Sequence, residues 1–155
     1  KIAAVAGDQY LGREDNGEAA IGRLLAGFGY EVLYEAKSIY LRGGWNFTGD
    51  FYLPQQRCVV EVTFIDKDLT KAERELAALD GDAGPAASAL RAVLQAELAG
   101  HRARWQRKQR KAYQAARKSK LRIVLVPFGL WTQVVARPEL LQDLVEGRAA
   151  SEWTY

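Results

Sequence analysis

Residues 46–63, which decide the fold, read NFTGDFYLPQQRCVVEVT. Two β-rich runs, Trp45 to Leu53 and Arg57 to Ile65, flank a Pro-Gln-Gln turn, and this arrangement predicts a β-hairpin. Asp50 falls near the middle of the first run and Glu61 lies in the second. We therefore expect the hairpin to bring the two carboxylates toward one edge of a sheet.

The pair Asp50 and Glu61 predicts a cation site. Glu61 interrupts an apolar run of valines, where an unpaired charge would be costly to desolvate, so a partner is expected. Two close carboxylates repel each other unless a cation lies between them, and oxygen-only coordination suits Mg²⁺ or Mn²⁺. Because side chains alternate along a strand, Glu61 and Thr63 share a face and the Val62 carbonyl is available as a third ligand. The alternative is a pair of ordinary strand carboxylates that face solvent.

The remaining pattern predicts an α/β domain with a mixed sheet flanked by helices. Helical spacing alternates with β-rich runs, and glycine or proline punctuates the boundaries. The predicted elements are a helix from a capping box at Asp15 and Glu18 to Gly29, an extended segment from Tyr30 to Tyr40, the hairpin, two or three helices from Leu69 to Ala116 with a break at Gly81 to Pro85, a buried central strand from Leu121 to Phe128, and a last helix from Pro138 to Val145.

Composition narrows the class of protein. The chain has 155 residues, 48% hydrophobic and 26% charged, so residues 1–155 are expected to form a single folded domain. One cysteine, Cys58, and one histidine, His101, exclude a disulfide framework, a four-cysteine zinc site and a multi-histidine centre. No apolar run approaches the roughly 20 residues that span a bilayer, and no signal sequence opens the chain, so a cytoplasmic protein with no membrane partner is expected. Because methionine is absent even at position 1, we expect the sequence to be part of a longer chain.

Charge is distributed unevenly along the chain. No acidic residue lies between Glu97 and Glu139, whereas eleven lysines and arginines do. The rest of the chain carries eleven basic and nineteen acidic side chains. Such asymmetry is typical of a protein that binds a polyanion, with nucleic acid as the first candidate. A solvated helical face rich in lysine and arginine is the alternative.

The segments YEAKSIYL at residues 34–41, FTGDFYLP at 47–54 and VVEVT at 59–63 occur in a specific order and spacing. They resemble the core of the PD-(D/E)XK nuclease superfamily, in which an Asp at the end of one strand precedes Glu-x-Lys on the next. The resemblance extends from Asn16 to about Asp66. It implies a restriction-endonuclease-like fold, with residues of about 69–100 as a helical insertion after the Glu-x-Thr strand.

The resemblance also implies an activity and its residues. In this family the Asp, the Glu and the carbonyl after the Glu bind the catalytic metal, which implies Asp50, Glu61 and Val62 as ligands of Mg²⁺ or Mn²⁺. Glu18 matches an acidic residue that a preceding helix often carries, although a capping role explains it equally well. The implied activity is metal-dependent hydrolysis of phosphodiester bonds in nucleic acid, with DNA favoured over RNA.

Two positions depart from the family pattern. Gly49 replaces a proline, an exchange for which we expect no chemical consequence. Thr63 replaces the lysine that positions water and offsets charge on the scissile phosphate, and a hydroxyl can orient water but supplies no cation. A neighbouring element would then have to supply the cation. Lys111 is the favoured donor, and Lys67 is the second candidate.

The basic segment carries the predicted nucleic-acid contacts. Gln109 and Tyr113 have a Gln-x-x-x-Tyr spacing that resembles the RecB-like branch of the superfamily, and residues four apart share a helix face. Trp45, Trp105 and Trp131 could stack on bases, although packing in the core is the commoner role for such residues. The predicted binding residues are Arg104, Arg107, Lys108, Gln109, Arg110, Tyr113, Arg117 and Lys118.

Two further functions stay open on the sequence alone. The first is a nuclease-like nucleic-acid-binding module that has lost catalysis, which the threonine at position 63 favours. The second is a structural or partner-binding domain in which the helical region from Leu69 to Ala99 mediates self-association, for example as a homodimer.

Overall fold

The computed structural model describes residues 17–35 and 38–155. Helices and strands alternate through these residues as expected for an α/β domain. The elements are α1 (Glu18–Gly27), β1 (Leu33–Tyr34), β2 (Ser38–Tyr40), a 3₁₀ turn (Arg42–Gly44), β3 (Asn46–Thr48), β4 (Phe51–Leu53), β5 (Cys58–Val62), α2 (Ile65–Ala77), α3 (Pro85–Ser119), β6 (Arg122–Val126), α4 (Phe128–Ala136) and α5 (Pro138–Glu146).

Within the described residues, four strands form a mixed sheet in the order β1-β4-β5-β6. β4 and β5 are the arms of the predicted hairpin, and they pair antiparallel with Phe51 opposite Val60. β6 returns parallel to β5 after the helices α2 and α3. The other edge of β6 pairs with the C-terminal segment, because Ile123 and Tyr155 exchange two backbone hydrogen bonds of 2.8 and 3.0 Å. The predicted burial of this strand is therefore confirmed. Its predicted central position is wrong, because β6 is the last of the four strands and is flanked by an isolated bridge between Val124 and Thr154.

Each face of the sheet has its own apolar core, because successive side chains of a strand point to opposite faces. Val60 and Val124 pack with α1, α4 and α5 on one face. Val59 and Ile123 pack on the other face against α3 and a second, two-stranded sheet formed by β2 and β3. Glu61 and Thr63 continue the Val59 series, so both belong to the face that α3 covers.

The predicted strand from Trp45 to Leu53 is wrong in one respect, because it is two strands. β3 pairs with β2 in the small sheet, and β4 joins the central sheet. The break falls at Gly49, where a Cβ would lie 2.1 Å from the Val59 side chain and 3.2 Å from the Val60 carbonyl oxygen. Asp50 thus lies between two strands rather than within one. Gly49 therefore has a steric role, because the neighbouring strand leaves no room for a Cβ. The sequence analysis did not predict this role.

The helical region differs from the prediction at both of its limits. α2 begins at Ile65 and not at Leu69, and α3 ends at Ser119 and not at Ala116. α3 starts at Pro85 and has no boundary near residue 100, where the predicted insertion ends. At 1.5 Å per residue, a helix of 35 residues is about 52 Å long. Its first half packs on α2, and Ala112 and Ala115 in its second half are fully buried against the sheet. One rigid helix therefore connects the predicted insertion to the basic segment.

Two other expectations have definite outcomes. α1 ends at the predicted glycine stop, and it begins at Glu18 with Gly17 as its N-cap; Asp15 lies outside the described residues. α4 was not predicted. Its first N–H groups, on Phe128 and Gly129, donate to the Asp66 carboxylate at 2.8 and 3.0 Å, so its cap comes from a residue far away in the sequence.

Candidate active site and nucleic-acid interface

Asp50 and Glu61 face each other across the hairpin. The β4–β5 register pairs Phe51 with Val60, and one further position along the same ladder places Asp50 opposite Glu61. Directly opposed residues of an antiparallel pair have Cβ atoms about 4.5–5.5 Å apart. The Val62 N–H donates to Asp50 Oδ2 at 2.7 Å, and the Asp50 backbone hydrogen-bonds to the Glu61 carboxylate. The Asp50 carboxylate is thus held by the main chain of Val62, the residue after Glu61, and the Glu61 carboxylate by the main chain of Asp50. The two acids therefore lie close together, as the sequence predicted.

Both carboxyl groups have raised pKa values. Burial is the largest cause for Asp50, and the negative charge of Glu61 adds to it, so that the pKa rises to about 8 against the lowering effect of the Val62 N–H. Burial likewise raises the pKa of Glu61, while Lys108 acts in the opposite direction. Glu61 is 7% exposed. A buried acid beside a partly buried one, both with pKa values raised by burial and by the charges of neighbouring acids, is an environment that a cation would stabilise.

Lys108 on α3 supplies a cation to this pair. Its ammonium Nζ donates to Glu61 Oε1. Lys111, the donor favoured by the sequence, instead lies 4.6 Å from the centre of the Trp45 ring. Lys67 lies 4.9 Å from the centre of the Phe128 ring. The structure thus brings Lys108 to the carboxylates in place of both sequence candidates.

Glu18 lies within electrostatic reach of the same acids. Its charge raises the pKa values of Asp50 and Glu61. The Tyr34 hydroxyl donates to Glu18 Oε2 at 3.1 Å, and burial, followed by the charge of Glu18, raises the pKa of that tyrosine. Sequence reasoning missed Tyr34, because its place in an alternating strand pattern indicated only a strand residue.

The oxygen donors fit a hard divalent cation. Among the described residues, no group of three or more His, Cys, Asp or Glu side chains is arranged to hold a metal ion. Mg²⁺, however, is commonly held by only one or two carboxylates together with water and substrate phosphate. Asp50 and Glu61 meet that requirement, and the Val62 carbonyl stays a predicted third donor. Thr63 is buried beside them, and its N–H donates to the Val126 carbonyl at 3.1 Å.

A groove runs from Lys108 along α3, between the helix and the segment 40–48; we call it the α3 groove. Its first section has a volume of about 370 Å³, and it is followed by sections of about 230 and 800 Å³ that share lining residues with their neighbours. The basic side chains that line it are Arg42, Arg104, Arg107, Lys108, Arg110, Lys111, Arg117 and Lys118.

The predicted binding residues divide into two groups. Most of them line the α3 groove, although Arg104 also pairs with Asp68 at 3.9 Å. Tyr113, half-exposed, lines the last section and accepts a hydrogen bond of 3.0 Å from Arg117. Gln109 is different, because its side chain hydrogen-bonds to the Tyr155 hydroxyl. Gln109 thus contacts the C-terminal residue, whereas its partner in the Gln-x-x-x-Tyr motif faces the groove.

The three tryptophans have two kinds of environment, core and surface. Trp105 and Trp131 pack against the two cores, which is the commoner role expected for all three. Trp45 is 46% exposed and lies against Arg107 and Lys111, with Arg107 Cζ 5.9 Å from the ring centre. The core-packing expectation is therefore wrong for Trp45.

Comparison with known proteins adds no relative to this description. No protein-family model, no curated protein and no solved structure matches the chain. Among the described residues, none of the helices has the length and apolar character that a bilayer span requires.

Proposed function

We propose that the protein is a divalent-metal-dependent nuclease that hydrolyses phosphodiester bonds in nucleic acid. The observation that carries the proposal is the neighbouring pair of Asp50, partly buried, and Glu61, buried, both with raised pKa values and connected to a basic groove through Lys108. A metal-binding acid pair and a phosphate-binding surface are the two parts that such a reaction needs. Lys108 takes part in both, because it contacts Glu61 of the acid pair and also lines the α3 groove.

Each residue has a proposed role. Asp50 and Glu61 hold Mg²⁺ or Mn²⁺ through their carboxylates, with the Val62 carbonyl completing the protein ligands. When bound, such an ion supplies Lewis-acid stabilisation of the phosphate and lowers the pKa of the attacking water. Thr63 orients that water through its hydroxyl, and Glu18 adds negative charge that favours cation binding.

Lys108 takes the part that the family assigns to the lysine missing at position 63. Its ammonium group is already at Glu61, so a small movement along the same side chain brings it to a phosphate oxygen beside the acids. There it offsets the charge that develops on the scissile phosphate, which is a contribution that a threonine hydroxyl cannot make. We infer that Lys108, and not Lys111, is the cation of the reaction.

The topology supports a restriction-endonuclease-like core as part of the same proposal. A helix, an antiparallel hairpin that carries both acids and a parallel strand reached through helices occur here in the expected order. DNA is proposed as the substrate in preference to RNA on the resemblance of residues 16–66 to PD-(D/E)XK nucleases. A cytoplasmic location is proposed on the single cysteine, which suits a reducing compartment.

One observation favours a second candidate, a binding module that has lost catalysis. The Lys108 ammonium already neutralises Glu61, and it occupies one of the two carboxylates that a metal would need. If this ion pair were permanent, the α3 groove would still bind phosphates while no metal entered. The two candidates therefore differ in cleavage and agree in binding.

Cleavage of supercoiled plasmid separates them. Nicking in Mg²⁺ that is abolished by EDTA and reduced at least ~10³-fold by Asp50→Asn supports the nuclease. Glu152→Gln, an exposed acid near the C-terminus, is the matched control and should leave nicking unchanged. Salt-sensitive plasmid binding without nicking by the wild-type protein would support the binding module and contradict the nuclease.

A further inference from the structure

Trp45 is an exposed aromatic side chain in a setting dominated by cations. It follows Gly43 and Gly44, both of positive φ, at the tip of the β2–β3 hairpin. Arg107 and Lys111, one helical turn apart on α3, approach its ring. The Arg107 Cζ atom lies 5.9 Å and the Lys111 Nζ atom 4.6 Å from the centre of the ring. Trp45 nevertheless stays 46% exposed.

Further basic side chains line the α3 groove on both sides of Trp45. Arg104, Lys108, Lys111 and Lys118 of the groove lining follow one another on α3 at intervals of four, three and seven residues, so they lie along one stripe of the helix, with Arg107 beside them. From Arg104 to Lys118 the helix rises about 21 Å. That length corresponds to about six phosphates at the 3.4 Å rise of a strand in a duplex, and to fewer in an extended single strand. The stripe thus matches a short oligonucleotide strand.

An exposed indole can distinguish a single strand from a duplex, which the cations cannot do. Phosphate contacts do not distinguish a single strand from a duplex, because both present the same backbone charge. The flat face of a base is accessible only when the base is unpaired, and base–aromatic stacking is the common device of proteins that bind single strands. Trp45, which is 46% exposed and lines the α3 groove beside Arg107 and Lys111, is available for such stacking next to the phosphate stripe.

We propose that the α3 groove binds single-stranded nucleic acid, with an unpaired base stacked on Trp45 and the backbone along Arg107 and Lys111. The inference rests on the proposed function, for which it names the substrate class as a strand with an unpaired segment. Single-stranded DNA and single-stranded RNA share this chemistry. Lys108, which lines the same groove and contacts Glu61, connects the bound strand to the acid pair.

Fluorescence anisotropy in EDTA tests the binding without cleavage. The probes are labelled dT oligonucleotides of about 15 nucleotides, alone and annealed to dA, and an oligo-U of the same length. Wild-type protein should bind the single strand at least ~10-fold more tightly than the duplex, and Trp45→Ala should remove most of that preference by weakening single-strand binding ~10-fold. Trp45→Phe, which keeps an aromatic face, should retain most of the affinity.

Two controls keep the result specific. Val135→Ala changes another exposed apolar residue, on α4 and outside the groove, and should leave both affinities unchanged. Circular dichroism of Trp45→Ala should show the wild-type melting temperature, since the residue is half-exposed. Equal affinity for single strand and duplex, or a Trp45→Ala variant with wild-type preference, would overturn the inference. A comparison of dT with oligo-U shows whether DNA or RNA is the tighter ligand.

The inference and the proposed function fail in different ways. A Trp45-dependent preference for single strands in a protein that cleaves nothing in Mg²⁺ would support single-strand binding in the α3 groove and contradict the nuclease. Metal-dependent cleavage with no preference for single strands would contradict single-strand binding alone. Failure to bind any of the probes would overturn single-strand binding, whatever the plasmid assay shows.

Discussion

The acid pair and the α3 groove meet at Lys108 but are constructed in opposite ways. Glu61 is buried and Asp50 is partly buried, and both are held by backbone hydrogen bonds and have raised pKa values. The groove, by contrast, is lined by long side chains that stay in contact with solvent, and its aromatic residue is half-exposed. Burial strengthens electrostatic interactions and suits chemistry at a single point. Solvated charges suit contacts that are individually weak, numerous and sensitive to salt.

The sharpest test of this contrast compares two lysines that are three residues apart. Lys108→Met should reduce cleavage about 100-fold with little loss of affinity, because it removes a cation from the acid pair. Lys111→Met should instead weaken oligonucleotide binding several-fold and leave the rate at saturating substrate near that of the wild type, because this residue lies at Trp45. Single-turnover cleavage and anisotropy measure the two quantities. Equal effects of the two substitutions would show that the groove and the acid site are not separate.

Gly49 tests whether the acid pair depends on the chain crossing from one sheet to the other. Gly49→Ala places a methyl group against Val59 and should lower the free energy of unfolding by ~2 kcal/mol or more, with loss of cleavage. Gly100→Ala, inside α3 with open space around its Cβ, is the matched control and should raise stability by ~0.5–1 kcal/mol. Urea denaturation measures both. A neutral Gly49→Ala would show that β3 and β4 have room to separate.

Stability should depend on pH through the acid pair. The pKa of Asp50 in the folded protein is about 8, above the value of about 3.9 in an unfolded chain. The folded state therefore retains a proton that the unfolded state loses, so this contribution is complete below about pH 4 and disappears as the pH rises through 8. In EDTA, the free energy of unfolding should fall by about 3–4 kcal/mol more in the wild type than in Asp50→Asn between about pH 5 and pH 8. Added Mg²⁺ should reverse the loss only in the wild type, and an identical pH profile for the two proteins would contradict the raised pKa.

Single substitutions in the α3 groove should have the smallest effects on affinity, because each removes the contact with one phosphate. Arg107→Ala should reduce the slope of log affinity against log salt by about 0.7 for a single strand. Lys71→Ala on α2, which removes an exposed charge that pairs with its helix neighbour Glu75 at 3.9 Å, should leave that slope unchanged. Anisotropy titrations over a range of KCl concentrations measure both slopes. The same slope change for both variants would indicate a general charge effect and not a defined groove.

Sequence patterns were most reliable where the structure is local. The hairpin, the proximity of its two acids and the buried β6 follow from a turn, strand alternation and an apolar run, which are all visible within a few residues. The position of Asp50 was less well predicted, because the break at Gly49 depends on contact with Val59 in another strand.

What the sequence could not show depends on contacts between distant elements. Residues three apart on a helix differ in direction by about 60°, so choosing Lys108 over Lys111 requires the orientation of α3 on the sheet. Gln109 appeared to belong with Tyr113 until the C-terminal Tyr155 proved to be its partner. α4 has its cap 62 residues upstream, at Asp66, where no local pattern would reveal it.

The most direct test of the acid pair is a crystal of the wild-type protein soaked in Mn²⁺, with a parallel Asp50→Asn crystal. Anomalous difference density should show an ion bridging Asp50 and Glu61 in the wild type only, with the Lys108 ammonium moved away from Glu61. A wild-type map that lacks such a peak while Lys108 stays bound to Glu61, or a peak that persists in Asp50→Asn, would contradict the metal site on which the proposed hydrolysis depends.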